Sequence, residues 1–324
     1  MNDILKDAYN RSFSYLRISI TDLCNFSCKY CLPVRDNIKC KNYLSVDEIY
    51  NLVLAFSELG VSKIRITGGE PTIRNDFIDI GKAISSIFFI KDLVFTTNGF
   101  KLYKIIDEVV NSGYNGVNIS LDTLDKNKFI LITGRNYFKA VLDSIYCSLD
   151  YGLKTKVNIV LSDFFSLNDF ENFYYLSKYK PIDIRFIEQM ETCSIKRGIN
   201  NFITSSYIKE FLYINNWKNT VKSYIDGPAD LFFNNSFIGK IGIINPYSDK
   251  FCFNCNRLRI SSMGDLFLCL FGNIKYPLRH LLRSSSQKDD LKNFIVDVLK
   301  MKNNSHMLNS GNYGMIKSFS SIGG

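Results

Sequence analysis

The chain has 324 residues, 46% of them hydrophobic and 22% charged, with a formal net charge of +9. This is ordinary globular composition, long enough to bury a large core without a metal, and no apolar run approaches the ~20 residues that a membrane-spanning helix needs. Lys and Arg are spread among Asp and Glu rather than blocked together, so the charge reads either as a solvated basic surface or as a face for a polyanion: nucleotide, phosphate or nucleic acid.

Strand and helix signals alternate from residue 15 onward. "YLRISI" (15–20) reads as a strand. Residues 45–60 read as a helix, with Ser45 as N-cap, Glu48 three residues on and Gly60 at its end. Strands are then expected over 63–69, 93–99, 116–122, 154–161 and 182–188, with helices over 76–87, 101–113, 137–152 and 167–179. Six βα-type units in about 200 residues point to a parallel sheet or barrel. The alternation fades after about residue 220, where a cysteine-bearing region and a tail ending in "SSIGG" follow. The expected division is therefore 1–220 and 221–324.

The strands are apolar on one side only. Leu16, Ile18 and Ile20 oppose Arg17 and Ser19; Ile64 and Ile66 oppose Lys63, Arg65 and Thr67. Val117, Ile119 and Leu121 oppose Asn118, Ser120 and Asp122. Val157 and Ile159 oppose Lys154, Lys156 and Asn158, and Ile184 and Phe186 oppose Asp183 and Arg185. Side chains alternate with period two, so the apolar faces can pack on helices while the polar, repeatedly cationic faces line a common interior. A barrel filled with apolar side chains alone would not read this way, whereas one whose mouth holds a charged ligand would.

Nine cysteines are present, and no secretory h-region follows "MNDILKDAYNR". The expectation is a cytoplasmic chain with reduced thiols, in which grouped cysteines serve metal or redox chemistry. Cys24, Cys28 and Cys31 form C-x3-C-x2-C just after the first strand. Cys252, Cys255 and Cys269 form C-x2-C-x13-C. Cys40, Cys147 and Cys193 are scattered and read as buried apolar thiols. Zinc would require a fourth ligand, drawn from Cys40 or the other cysteine group, since the two histidines, His280 and His306, lie far along the sequence. Three thiolates on a four-iron cluster would instead leave one iron open for a substrate or cofactor.

"CNFSCKYC", with Tyr30 before the last cysteine, resembles the signature of the radical S-adenosylmethionine (SAM) superfamily, and "GGEP" (residues 68–71) stands where that family places its glycine-rich SAM contact. Glu70 there is expected to offer negative charge near an ammonium. The ordered motifs "YLRISITDLCNFSCKYC", "IRITGGEPTIR", "TTNG", "ISLDTLD", "KVNIV", "IRFIEQM", "CNRLRI" and the terminal "IGG" resemble the GTP 3′,8-cyclase branch (molybdenum cofactor biosynthesis protein A) over almost the whole chain. A peptide maturase with an auxiliary cluster and a zinc-dependent nucleic-acid-binding protein are the rival readings; neither accounts for the strand-borne cations together with "GGEP".

The resemblance implies an incomplete (βα)6 TIM-type barrel with a C-terminal cluster-binding extension. It implies two 4Fe–4S clusters, held by Cys24, Cys28 and Cys31 and by Cys252, Cys255 and Cys269, with SAM against Tyr30, Gly69, Ser120 and Met190. GTP would meet Arg17, Arg65, Thr96, Lys156, Arg185, Arg257, Leu258 and Arg259, with Lys63 as a helper. Arg257 and Arg259 lie near the substrate, and no side chain serves as acid or base. SAM would be cleaved to a 5′-deoxyadenosyl radical that takes the ribose C3′ hydrogen, after which C3′ attacks guanine C8. Implied partners are an electron donor such as flavodoxin or ferredoxin and cyclic pyranopterin monophosphate synthase, with no nucleic acid and no membrane, for a monomer or homodimer. The tail glycines Gly323 and Gly324 would reach into the site. Leu23 and Ser27 replace arginines usual in the family, so the charge beside the first cluster differs.

Overall fold

The expected alternation of strand and helix is present in a computed structural model, which describes residues 5–31, 42–191, 203–221, 227–248, 250–314 and 322. β1 (Tyr15–Ser19), β2 (Lys63–Thr67), β3 (Asp92–Thr97), β4 (Gly116–Ser120), β5 (Lys154–Leu161) and β6 (Asp183–Glu188) pair in parallel, each with the next. The intervening helices are α1 (Val46–Glu58), α2 (Phe77–Ser85), α3 (Leu102–Asn111), α4 (Lys126–Thr133), α5 (Phe138–Asp150) and α6 (Leu167–Tyr179).

Local chemistry sets the helix starts. The Ser45 side chain accepts from the Glu48 N–H at 3.1 Å, and Glu48 accepts from the Ser45 N–H at 2.8 Å, a reciprocal cap on α1. Ser166 and Asp169 cap α6 in the same way. Helix α4 was not expected. Its apolar residues do not gather on one face, although Asp125 caps its start and Gly134, at φ 68°, ends it in the left-handed region.

The alternation fades past residue 220 as expected, but short strands and helices continue there. After α7 (Ser205–Ile214) come β7 (Lys218–Asn219), β8 (Asp230–Phe233), β9 (Lys240–Ile244), α8 (Lys250–Phe253), β10 (Arg257–Ile260), β11 (Asp265–Phe267), β12 (Tyr276–Pro277) and α9 (Lys288–Leu299). β9 pairs in parallel with β6, and β10 in parallel with β1. Eight parallel strands thus run β10-β1-β2-β3-β4-β5-β6-β9, with antiparallel β11 and β12 beyond one side and β8 and β7 beyond the other. No pairing among the described residues joins the two ends, so the barrel is incomplete. The short, late strands escaped sequence reading because pairing to β1 and β6, rather than length, stabilises them.

The apolar strand faces pack outward on the helices. Ile18, Ile66, Ile119, Ile159 and Phe186 are fully buried in one core with Leu52, Phe77, Val141 and Phe170. Each such burial stabilises by roughly 1.5–3 kcal/mol, enough to fix the register that turns every polar face inward. Among the described residues, no helix is long and apolar enough to cross a membrane.

Candidate functional site

The loop after β1 carries the first three thiols, and the loop after β2 is stitched to it. Gly69 N–H donates to the Thr21 carbonyl and Glu70 N–H to the Leu23 carbonyl, both at 2.8 Å. A Cβ on Gly69 would lie 2.1 Å from the Leu23 oxygen, so only glycine allows the approach. Glu70 does not face a ligand as expected. It is fully buried, and its carboxylate accepts from Thr72 N–H (3.1 Å), the Thr72 and Thr97 hydroxyls (2.7 Å each) and Asn98 N–H (2.5 Å). It braces the β2 loop against the end of β3. Asn98 Nδ2 donates to Asn25 Oδ1 at 2.7 Å and stands 3.8 Å from Cys24 Sγ.

The carboxylates that act on this triad are Glu70 and Asp122. Asp122 accepts from the Tyr30 hydroxyl at 2.5 Å and from Val160 N–H at 2.8 Å, and burial lifts its carboxyl to about 6. Burial pushes Cys24 up to about 11, with Glu70 adding to the shift. Cys31 rises to about 12 through burial, Cys24 and Asp122, and Cys28 rises well above the usual thiol value through burial and Asp122.

Below the first triad lies a cationic floor. Register pairs Tyr15 with Lys63 and Arg257, and Arg17 with Arg65 and Arg259. Two layers result: Arg257–Tyr15–Lys63 and Arg259–Arg17–Arg65. Arg17, Arg65, Arg185 and Arg259 are all buried. Burial and then Arg259 hold Arg17 well below its usual value, and burial with Arg257 brings Arg259 to about 10. Burial followed by Arg185 brings Lys156 to about 7. Burial alone would raise the Tyr15 hydroxyl, but Arg65, Arg17, Lys63 and Arg257 together outweigh it and lower it. The Lys63 ammonium has a counter-ion, Asp92, at 3.5 Å. Among the described residues, Arg65 Nε and Thr96 Oγ1 are buried with no hydrogen-bond partner. Gathering so many cations costs free energy that an anionic ligand would offset.

The second triad closes the other end. Cys252 and Cys255 enter β10 at its N-terminal end, and antiparallel β11 returns Cys269 to that same end. Because β10 is parallel to β1, the two triads flank opposite ends of β1, whose five residues span roughly 15 Å. Here the field is cationic. Burial alone would raise Cys255, yet Arg257, Lys302 and Arg11 bring it down to about 7. Cys252 is raised by burial.

One cavity of about 520 Å³ joins both ends and the floor, within the range of small-molecule sites. It is lined by all six grouped cysteines, by Tyr30, Gly69, Ser120 and Met190, and by Arg17, Lys63, Arg65, Thr96, Lys156, Arg185, Arg257 and Arg259. Leu258 is the exception: its neighbours on β10 face the cavity, so period two turns its side chain into the helix-side core. A side-chain contact from Leu258 to a ligand is therefore corrected to burial. Lys154 and Asp183, at the opening ends of their strands, also lie off the cavity wall, and Lys154 pairs with Asp92 at 3.3 Å. Cys147 packs on α5 against the core. Cys40, Cys193, Gly323 and Gly324 lie outside the described residues. Ile322, just before the tail glycines, is buried, and its carbonyl accepts from Arg259 Nη1 at 3.3 Å.

Sequence reasoning missed Tyr15, Arg11, Lys302 and His306, all of which line the cavity. Tyr15 was findable, since it alternates with Arg17 on the polar face. The other three carry no local signal; only the tertiary fold brings residues 11 and 302–306 to Cys252. Among the described residues, no three His, Cys, Asp or Glu side chains converge as a single-ion site would. Three thiols opening onto a cavity fit a multi-iron cluster, whose iron atoms need no common ligand point.

The sequence matches two family models, "Radical SAM superfamily" over residues 18–176 and "Molybdenum Cofactor Synthesis C" over residues 182–308. The GTP 3′,8-cyclase of Psychromonas ingrahamii is 44% identical over 100% of this chain and 96% of its own length. That of Vibrio vulnificus is 41% identical over 98% of this chain and 97% of its own. In fold, the chain is similar to Streptococcus suis SuiB in its crystal structure with S-adenosylmethionine, with a TM-score of 0.66 at 15% identity, covering 90% of this chain and 69% of that one. Two thiol triads on one cation-floored cavity of an incomplete barrel, with full-length relatives at this identity, establish that the chain belongs to the radical SAM superfamily and, within it, to the GTP 3′,8-cyclase family.

Proposed function

We propose that the chain converts GTP to (8S)-3′,8-cyclo-7,8-dihydroguanosine 5′-triphosphate, the first step of molybdenum cofactor biosynthesis. It is an enzyme of the radical SAM superfamily, with SAM and 4Fe–4S clusters as cofactors. The observation that carries the reading is the cationic floor lying between two three-thiol sets on one cavity wall.

Cys24, Cys28 and Cys31 are assigned to the first cluster, and Cys252, Cys255 and Cys269 to the second. When bound, the clusters and SAM supply the one-electron chemistry that starts the reaction. The residues of the chain bind, orient and shield. Arg17, Arg65, Lys156 and Arg185 are assigned to the triphosphate, which carries about four negative charges and so matches several buried cations. Thr96 adds a hydroxyl whose buried oxygen has no hydrogen-bond partner among the described residues. Arg257 and Arg259, on the strand that leaves the second triad, are assigned to the guanine end. Tyr30, Gly69, Ser120 and Met190 are assigned to SAM. Holding ribose and base in one orientation, away from water, supplies the larger part of what the protein contributes.

The functional division is read as 1–220 for SAM and the first cluster, and 221–324 for the second cluster and GTP, although their strands share one sheet. The finer assignments are a cytoplasmic monomer or homodimer, an electron donor such as flavodoxin or ferredoxin, and hand-over of product to cyclic pyranopterin monophosphate synthase.

The test is anaerobic reconstitution of the wild type and of a Cys252→Ala, Cys255→Ala, Cys269→Ala variant, each given reductant, SAM and GTP. The wild type should hold about eight irons and make 5′-deoxyadenosine and cyclised GTP, while the variant holds about four and makes no cyclised GTP. Deoxyadenosine from the wild type without any GTP product would move the substrate elsewhere.

A further inference from the structure

We infer that Lys302 is the buried counter-cation of the second thiol set, held there by a collar formed from residues 301–307. This rests on the reading that Cys252, Cys255 and Cys269 bind the second cluster.

Three observations converge on Lys302. Its side chain is buried, with the residue only 5% exposed, yet it lines the cavity. Its ammonium donates to the carbonyl of Leu268, the residue before Cys269, and lies 5.5 Å from the Phe13 ring centroid. No carboxylate pairs with it among the described residues. A buried ammonium without a counter-ion is costly, and its charge acts on Cys252 and Cys255, thiols that ligate only as thiolates.

The collar fixes this arrangement from both sides. His306 N–H donates to Cys252 Sγ at 3.4 Å. The His306 ring spends both nitrogens on the backbone: Nδ1 accepts from Leu308 N–H at 3.2 Å, which leaves Nε2 to donate to the Pro246 carbonyl at 2.8 Å. The ring is therefore a strut and not a fourth ligand. From outside, Arg11 donates to the carbonyls of Asn303 (2.7 Å), Asn304 (2.5 Å) and Cys252 (3.1 Å), while Asp7 holds its Nε at 2.6 Å. One guanidinium thus ties the N-terminal segment, the second cysteine loop and the collar together. Lys302 is a positioning residue: its charge acts on the thiolate–cluster set and not on the reacting carbon atoms.

A cation beside a cluster favours the reduced form. The experiment compares wild type, Lys302→Met and Lys302→Arg, each reconstituted anaerobically, with iron and sulfide counts and a redox titration followed by electron paramagnetic resonance. Each variant is also placed in a Cys24→Ala, Cys28→Ala, Cys31→Ala background, so that only the second centre is read. Lys302→Met should shift the one-electron reduction equilibrium of that centre about tenfold toward the oxidised form, 59 mV more negative. Lys302→Arg should restore most of this, and the first centre should be unchanged. Loss of about four irons in Lys302→Met alone, with retention in Lys302→Arg, would equally support the counter-cation. An unshifted midpoint with full iron, or equal loss in both variants, would overturn it. A Cys252→Ala, Cys255→Ala, Cys269→Ala protein that still holds about eight irons would instead sink the two-centre reading beneath it.

Discussion

The two thiol triads share a spacing logic, three cysteines and an open side, but sit in opposite fields. The first lies against Asp122 and Glu70, and burial with those carboxylates drives Cys24 to about 11 and Cys31 to about 12. At the second, burial is outweighed by Arg257, Lys302 and Arg11, which bring Cys255 to about 7. The difference follows from the strand ends that carry them. The first triad follows β1, where the ends of β2, β3 and β4 also deliver hydroxyls, amides and carboxylates. The second gathers at the start of β10, with Cys252 and Cys255 before it and Cys269 returned there by β11, and β10 opens with the arginines of the floor. A cavity polarised in this way draws anions away from the first triad and leaves that end for a cationic group, which suits a sulfonium there and a triphosphate on the floor.

The largest test of the contrast is Gly69→Ala. The added methyl meets the backbone of the first cysteine loop, which no side-chain rotation relieves. The reconstituted variant should keep about four of about eight irons, all at the second triad, and lose about 2–4 kcal/mol of unfolding free energy. Iron counting with denaturant unfolding checks this, and full iron loading would show that the two loops are not coupled as described.

Asp122→Asn removes the charge beside Cys28 and Cys31 while an amide oxygen can still accept from Val160 N–H. The first centre should become easier to reduce by about 60 mV, a tenfold shift for one electron, and the second should not move. Equal shifts at both centres would dissolve the contrast.

The smallest effect concerns Lys156, in the floor between the two ends. Its ammonium is charged below its lowered value, so its pull on an anion is present at pH 6 and lost as pH rises through about 7. Between pH 6 and 8 the GTP affinity of the wild type should therefore fall relative to Lys156→Met by at most about tenfold. Calorimetric titration at each pH reads the difference, and the variant carries any change in the ionisation of the phosphate itself. Parallel profiles would mean that Lys156 does not meet the anion.

Strand alternation was legible because period two survives in any sheet: Arg17, Arg65, Lys156 and Arg185 were placed inward from pattern alone, and all line the cavity. The same rule, applied to Leu258, would have turned it into the core. The capping residue Ser45 was equally local, whereas α4 was lost because its apolar residues form no stripe.

By itself, then, the sequence determined the βα repeat, the inward cations, the two cysteine groups and the family they belong to, because each is carried by residues near one another in the chain. Only the tertiary structure decided that Glu70 is a brace, that β10 lies beside β1 so that the triads face each other along one strand, and that Arg11, Lys302 and His306 surround Cys252. The Glu70 brace is made with Thr97 and Asn98 at the end of the next strand, Lys302 and His306 reach back 34 and 54 positions, and Arg11 meets Cys252 across 241 positions. No local period or spacing encodes these contacts, whereas the parallel pairing of β1 with β10 sets the longest.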